Sequence, residues 1–171
     1  HFGTALPTHT FADGHVFDFG KVSLIAIHTP GHTVDHMCFF EPTHGILLSF
    51  DIDLTSFGPW YAHRESDIAA FEDSMRKVMS LNPRIIASSH KGIIADDIPG
   101  RLQRYLDVFD ARDRILLDLL PRVQTLDDLV NLSPFYQGYP YAEKLLRYWE
   151  GQMIRKHLAR LVQRGVIGGR W

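Results

Sequence analysis

Four short apolar runs, each cut off by turn residues, limit this chain more than any other feature. They are Val22 to Ile27, Met37 to Phe40, Ile46 to Phe50 and Ile85 to Ala87. Each is rich in apolar residues, β-branched or aromatic, and too short for a stable helix, so each reads as a strand. The runs are nearly continuous rather than alternating, which fits strands covered on both faces. Asp13-Gly14 marks a hairpin turn ahead of an alternating stretch, Val16 to Phe19. Between the third and fourth runs Ile68, Phe71, Met75, Val78 and Met79 recur at helical spacing; Ser66 is placed to cap that helix and Asn82-Pro83 to stop it. Beyond Asp97 the pattern is helical. Pro99-Gly100 opens a long amphipathic helix closed by Pro121, Thr125-Leu126-Asp127-Asp128 is a capping signature for a short helix, and Tyr141 to Arg164 carries a third. Val166-Ile167, after Gly165, reads as a short strand. The expected fold is α+β in two units, residues 1–98 and 99–171.

Charge divides along the same line. Residues 1–100 hold 6 Lys and Arg against 12 Asp and Glu, and the remainder holds 12 against 8. An acidic, histidine-bearing part followed by a basic part suggests two units with different tasks. The single cysteine, Cys38, excludes an internal disulfide framework and, within Met37 to Phe40, reads as a buried thiol. No apolar run approaches the roughly 18 residues of a membrane span, and the start is neither basic nor apolar enough for a signal peptide. A cytoplasmic location and no membrane partner are expected. The chain begins at His1 rather than Met, so it is expected to be a piece of a longer protein.

Chemistry gathers just past the strand ends. His32 follows the first run, Asp51 the third and His90 the last. Residues placed this way collect at one edge of a sheet, where α/β proteins keep their sites. Imidazole and carboxylate suit zinc, manganese or iron. Asp53 competes with Asp51 for the carboxylate role; Asp51 directly ends the apolar run and is favoured by its spacing.

The run Thr29-Pro30-Gly31-His32-Thr33 with His36 following, then Leu47-Leu48-Ser49-Phe50-Asp51, then Ser88-Ser89-His90, resembles the metallo-β-lactamase superfamily. The resemblance implies a metal-dependent hydrolase in which His32 binds one metal, Asp51 bridges two and His90 binds the second, with His36 as a supporting histidine beside the catalytic Asp51. It implies two zinc ions, or manganese or iron, in the intact site. It also implies part of an αββα sandwich, the C-terminal half, over residues 1–98. Phe50 stands where the family usually has Gly, and Ser89-His90-Lys91 where Gly-His-Gly is common. The family's His-x-His-x-Asp-His motif is absent from the sequence. The chain alone is therefore expected to hold metal weakly or incompletely and to hydrolyse little.

The loop Ser56 to Arg64 follows the aspartate, and Tyr61, His63 and Arg64 are its candidate substrate contacts, for a small-molecule substrate. Helices ending in Gly165-Val166-Ile167-Gly168-Gly169-Arg170-Trp171 resemble the winged-helix-like tail of some members, including a lactamase-like endoribonuclease family; Asp35, in Thr-Val-Asp-His, goes with members carrying a helical C-terminal unit. The basic residues Lys144, Arg147, Arg155, Lys156, Arg160 and Arg164 open the alternative of nucleic-acid binding. Half a sandwich leaves a bare sheet, so self-association or swapping is a further expectation.

Overall fold

The computed structural model describes residues 9–169. The elements run β1 (Val16–Asp18), β2 (Ser23–His28), β3 (Met37–Glu41), β4 (Ile46–Phe50), α1 (Ile68–Ser80), β5 (Ile85–Ser88), β6 (Gly92–Ile94), α2 (Ile98–Leu119), a 3-10 turn (Leu120–Arg122), α3 (Leu126–Leu132) and α4 (Glu143–Gln163). The strands form one sheet in chain order; β4 and β5 are parallel and the other neighbours antiparallel.

That topology gathers three loops at one edge. The end of β2 pairs with the start of β3, His28 opposite Met37. β3 runs against β4, and β4 runs with β5, so the loop after β2, the end of β4 and the β5–β6 turn all emerge at that edge. These are the segments carrying His32, Asp51 and His90.

The sheet has unlike faces. Ile27, Cys38, Leu47 and Ile86 point to one side and are buried in a single core with Phe71 and Met75 of α1, Phe109 and Leu116 of α2, and Met153 and Ile154 of α4. The core is continuous from sheet to last helix. Cys38 is fully enclosed, and burial pushes its thiol pKa up to about 12. The opposite face holds Leu24, Phe39, Leu48 and Ala87, all half-buried. A row of rings crosses it, from Phe11 to Phe17 to Phe39 to Phe50, with centroids 5.1, 5.8 and 6.0 Å apart in turn. No helix of the described residues covers it, whereas the apolar runs read as covered on both sides.

Local readings are corrected in three places. Asp67, not Ser66, caps α1, accepting from the Ala70 N–H at 2.8 Å. β6 follows a tight turn after β5 and was hidden by its length. Val166 and Ile167 form no strand, and no β-hairpin follows α4 among the described residues, so a wing is not shown there; Arg170 and Trp171 lie outside the described residues, as does His1. The Thr125 capping box is present as the sequence suggests, with Asp128 reciprocating. Glu150, fully buried in α4, accepts from the N–H groups of Phe135 and Tyr136 and ties the preceding loop to the helix. No helix of the described residues is long and apolar enough to cross a membrane.

Candidate functional site

The Pro30-Gly31-His32 turn is bolted to α1. Ser74 Oγ donates to the Pro30 carbonyl at 2.7 Å, the Asp67 N–H to the Gly31 carbonyl at 3.0 Å and Ser66 Oγ to the His32 carbonyl at 2.6 Å. Gly31 has φ +132°, and a Cβ there would stand 2.3 Å from the Phe71 Cα. Only glycine allows the turn to lie against the helix.

Within that frame His32 donates its Nδ1–H to the Trp60 carbonyl at 2.9 Å. A carbonyl accepts only, so this bond places a proton on Nδ1 and turns Nε2 toward the sheet edge. Nε2 lies 3.8 Å from Asp51 Oδ2, and His90 Nε2 lies 3.2 Å from Asp51 Oδ1. The two carboxylate oxygens thus face two different imidazoles. The Ser89 N–H bonded to the Phe50 carbonyl, at 3.0 Å, draws the β5–β6 turn against Asp51. His36 sits beneath: its ring centroid is 5.8 Å from that of His32, its Nδ1 lies 2.8 Å from Thr29 Oγ1, and its Nε2 is buried with no hydrogen-bond partner among the described residues. Burial pushes the His36 pKa down from the usual histidine value.

The structure brings His32, His36, Asp51 and His90 together. It turns Asp53 away: its Oδ1 accepts from the Tyr105 hydroxyl at 3.0 Å and from Thr55, so Asp51 alone faces the imidazoles. His28 ends β2 and donates Nε2–H to the Val34 carbonyl. Of the loop residues, His63 is exposed and flanks the cluster, 5.7 Å from the His32 ring and 4.8 Å from that of Trp60. Arg64 is exposed, and its carbonyl accepts from Lys156. The expectation that Tyr61 touches substrate is corrected: it is 0% exposed, and its hydroxyl is spent between His157 and Arg112.

The donor chemistry fits part of a metal centre. His32 turns Nε2 to the sheet edge, Asp51 sets one carboxylate oxygen toward each imidazole, and His90 is exposed. A working open site asks for about three protein ligands per ion, and among the described residues no group of three or more His, Cys, Asp and Glu is arranged to hold an ion.

Sequence reasoning missed a second polar cluster behind the first. Tyr61 donates its hydroxyl hydrogen to His157 Nε2 at 2.6 Å, and His157 donates Nδ1–H to Asp113 Oδ1 at 2.6 Å. Arg112 donates to the carbonyls of Phe57 and Pro59, 2.7 Å each, and to the Tyr61 hydroxyl at 2.8 Å. Arg160 joins Asp113, Glu72 and Asp110. The signal was present: Arg112 and Asp113 lie three and four positions from both Phe109 and Leu116, on the stripe that helical spacing assigns to the core. Of the basic residues of α4, Arg160 is buried against Glu72, Asp110 and Asp113, and Arg147, Lys156 and Arg164 contact Asn131, the Arg64 carbonyl and Asp113, whereas Lys144 and Arg155 are exposed.

No family model matches the chain. Lactamase-like protein nscB of Arthroderma benhamiae is 34% identical over 109 residues, which are 64% of this chain and 24% of that protein. Lactamase-like protein aptB of Emericella nidulans is 35% identical over 94 residues, 55% of this chain and 29% of that one. The chain thus spans about a quarter to a third of the length of such curated relatives. Among solved structures, a metallo-beta-lactamase family protein from Thermus thermophilus superposes with a TM-score of 0.75 at 25% identity, over 92% of this chain and 50% of that one. A beta-lactamase domain protein from Burkholderia ambifaria shares the fold with a TM-score of 0.70 at 16% identity, over 94% and 49%.

Proposed function

As a member of the metallo-β-lactamase superfamily, the chain, we propose, contributes His32, Asp51 and His90 to the two-metal centre of a hydrolase. The observation that carries this reading is the split carboxylate: Oδ1 of Asp51 faces His90 and Oδ2 faces His32. Asp51 would therefore hold one ion together with His32 and one together with His90. Zinc suits the donors best, and manganese or iron accept them too. A metal pair supplies Lewis acidity toward a carbonyl or phosphoryl oxygen and makes water acidic enough to act near neutral pH.

The chain's own residues orient and enclose. The Trp60 carbonyl fixes the His32 ring, Thr29 fixes His36 beneath it, and the rings of Trp60 and His63 wall one side of the edge. His63 and Arg64 are the proposed contacts for a small-molecule ester, thioester or phosphodiester. The uncovered face with its row of phenylalanines supports a further reading, that the first half of an αββα sandwich packs there and brings the remaining ligands.

Calorimetric titration of this chain with zinc tests the division of labour. Weak binding is expected, because Asp51 and one imidazole leave each ion about two protein ligands. A submicromolar, two-metal isotherm would overturn it. A version extended by the upstream half of the sandwich is expected to hydrolyse a generic thioester or phosphodiester in a metal-dependent way, and Asp51→Asn to abolish that. Metal-independent turnover would sink the hydrolase reading.

A further inference from the structure

The His32 ring is held by a backbone carbonyl, and a carbonyl has no identity of its own to hold it in place. The Trp60 indole donates to the Tyr136 hydroxyl at 3.0 Å, and Arg112 ties the loop residues on either side of it. Its guanidinium donates to the carbonyl of Pro59 on one side of Trp60 and to the hydroxyl of Tyr61 on the other, and reaches back to Phe57. The guanidinium also lies over the rings of Phe57, Tyr61 and Phe135, at 4.6, 5.3 and 5.1 Å. Arg112 is 4% exposed, so these bonds have no water to replace them. Tyr61 is in turn fixed by His157 and Asp113.

We propose that Arg112 is a positioning residue: by clamping Pro59 and Tyr61 it presents the Trp60 carbonyl to His32 Nδ1–H and so fixes which imidazole nitrogen is left for a ligand. Arg112 lies on α2 and His157 on α4, so the helices after residue 98 act on the sheet-edge site through the loop. This deepens the reading of His32 as a metal ligand and rests on it only for its consequence, not for the tautomer itself.

Nitrogen NMR of isotope-labelled histidine side chains in the full chain tests it, because the two neutral tautomers have distinct correlation patterns. In the parent chain His32 is expected in the Nδ1–H form. Arg112→Met is expected to convert it to a mixture with the Nε2–H form while unfolding stays cooperative. Tyr61→Phe, which removes one arm of the clamp, moves it less in the same direction and decides the matter if Arg112→Met does not fold. Arg160→Met is the control: Arg160 is buried too, at 8% exposed, but its ion pairs go to Glu72, Asp110 and Asp113 and to no loop residue, and the His32 pattern is expected to stay unchanged there despite lost stability. A folded Arg112→Met, or in its place Tyr61→Phe, with the parent His32 pattern would overturn the proposal, as would an equal change in Arg160→Met. Zinc affinity is expected to fall about tenfold in Arg112→Met and not in Arg160→Met. A changed tautomer with unchanged zinc affinity would uphold the positioning and overturn the ligand role of His32.

Discussion

The two polar clusters of this chain use the same residue types under opposite conditions. At the sheet edge His32, Asp51 and His90 have side chains 14, 37 and 63% exposed, with few polar contacts among them. Behind it Tyr61 and His157 are fully enclosed, and Arg112 and Asp113 nearly so, and each has bonded partners in the protein. A buried charge must be paired to be tolerated, whereas an exposed carboxylate between two imidazoles needs nothing from the fold. The inner cluster is therefore committed to holding the helices and the loop together. The outer one keeps lone pairs in reserve.

If that division is right, the largest loss of stability comes from the inner cluster. Asp113→Ala strands His157 Nδ1–H and one side of Arg160 in the core, and about 3–5 kcal/mol of stability is expected to go, read by urea unfolding. A loss below about 1 kcal/mol would mean that the inner cluster is no more structural than the outer. Next comes the joint between the two regions. Gly31→Ala places a methyl group 2.3 Å from the Phe71 Cα at a φ of +132°. Overpacking and strain together are expected to cost about 2–4 kcal/mol, with His32 displaced as a consequence.

The same contrast explains what was legible in the sequence. Apolar runs gave β2 to β5 within a residue or two, helical spacing gave α1, α2 and α4, and Thr125 with Asp128 gave α3, because each is a local pattern. The Thr-Pro-Gly-His-Thr turn and the order His32, Asp51, His90 were also readable, since strand ends mark a common edge. What escaped depends on partners far apart in the chain. Tyr61 meets His157 across 96 positions and Arg160 meets Glu72 across 88, and no periodicity encodes such a meeting. Tyr61 thus looked like a loop residue offered to substrate, and Arg160 like one of the basic residues that open the nucleic-acid alternative. β6 escaped because three residues after a turn carry no period.

A smaller effect is expected from pH, again on the inner cluster. Burial holds the His157 pKa below the usual 6.5, against the pull of Asp113, with Arg112 and Arg160 adding to the depression. Well above 6.5 neither the native nor the unfolded chain protonates this ring, so its contribution is whole. As pH falls below that value the unfolded chain binds the proton first, and stability is lost until the pH has passed through the lower native pKa. Urea midpoints measured across this range are expected to fall less steeply in His157→Gln, whose amide can accept from Tyr61 and donate to Asp113 without titrating. His36, depressed by burial too, keeps some slope in that variant. Parallel curves for the two proteins would assign the acid sensitivity elsewhere.

The smallest expected change in stability separates the clusters most sharply. His90 has a side chain 63% exposed, and among the described residues its side chain bonds to Asp51 alone, at 3.2 Å. An exposed polar contact of this kind contributes little, and His90→Ala is expected to change stability in urea by no more than about 0.5 kcal/mol. Zinc binding at the second position is expected to weaken well beyond what that stability change accounts for, because the imidazole is one of the few donors the chain offers there. A residue that matters to the fold shows both changes together; His90 is expected to show only the second. If His90→Ala instead lost several kcal/mol without altering zinc binding, the edge cluster would be a structural contact like the one behind it.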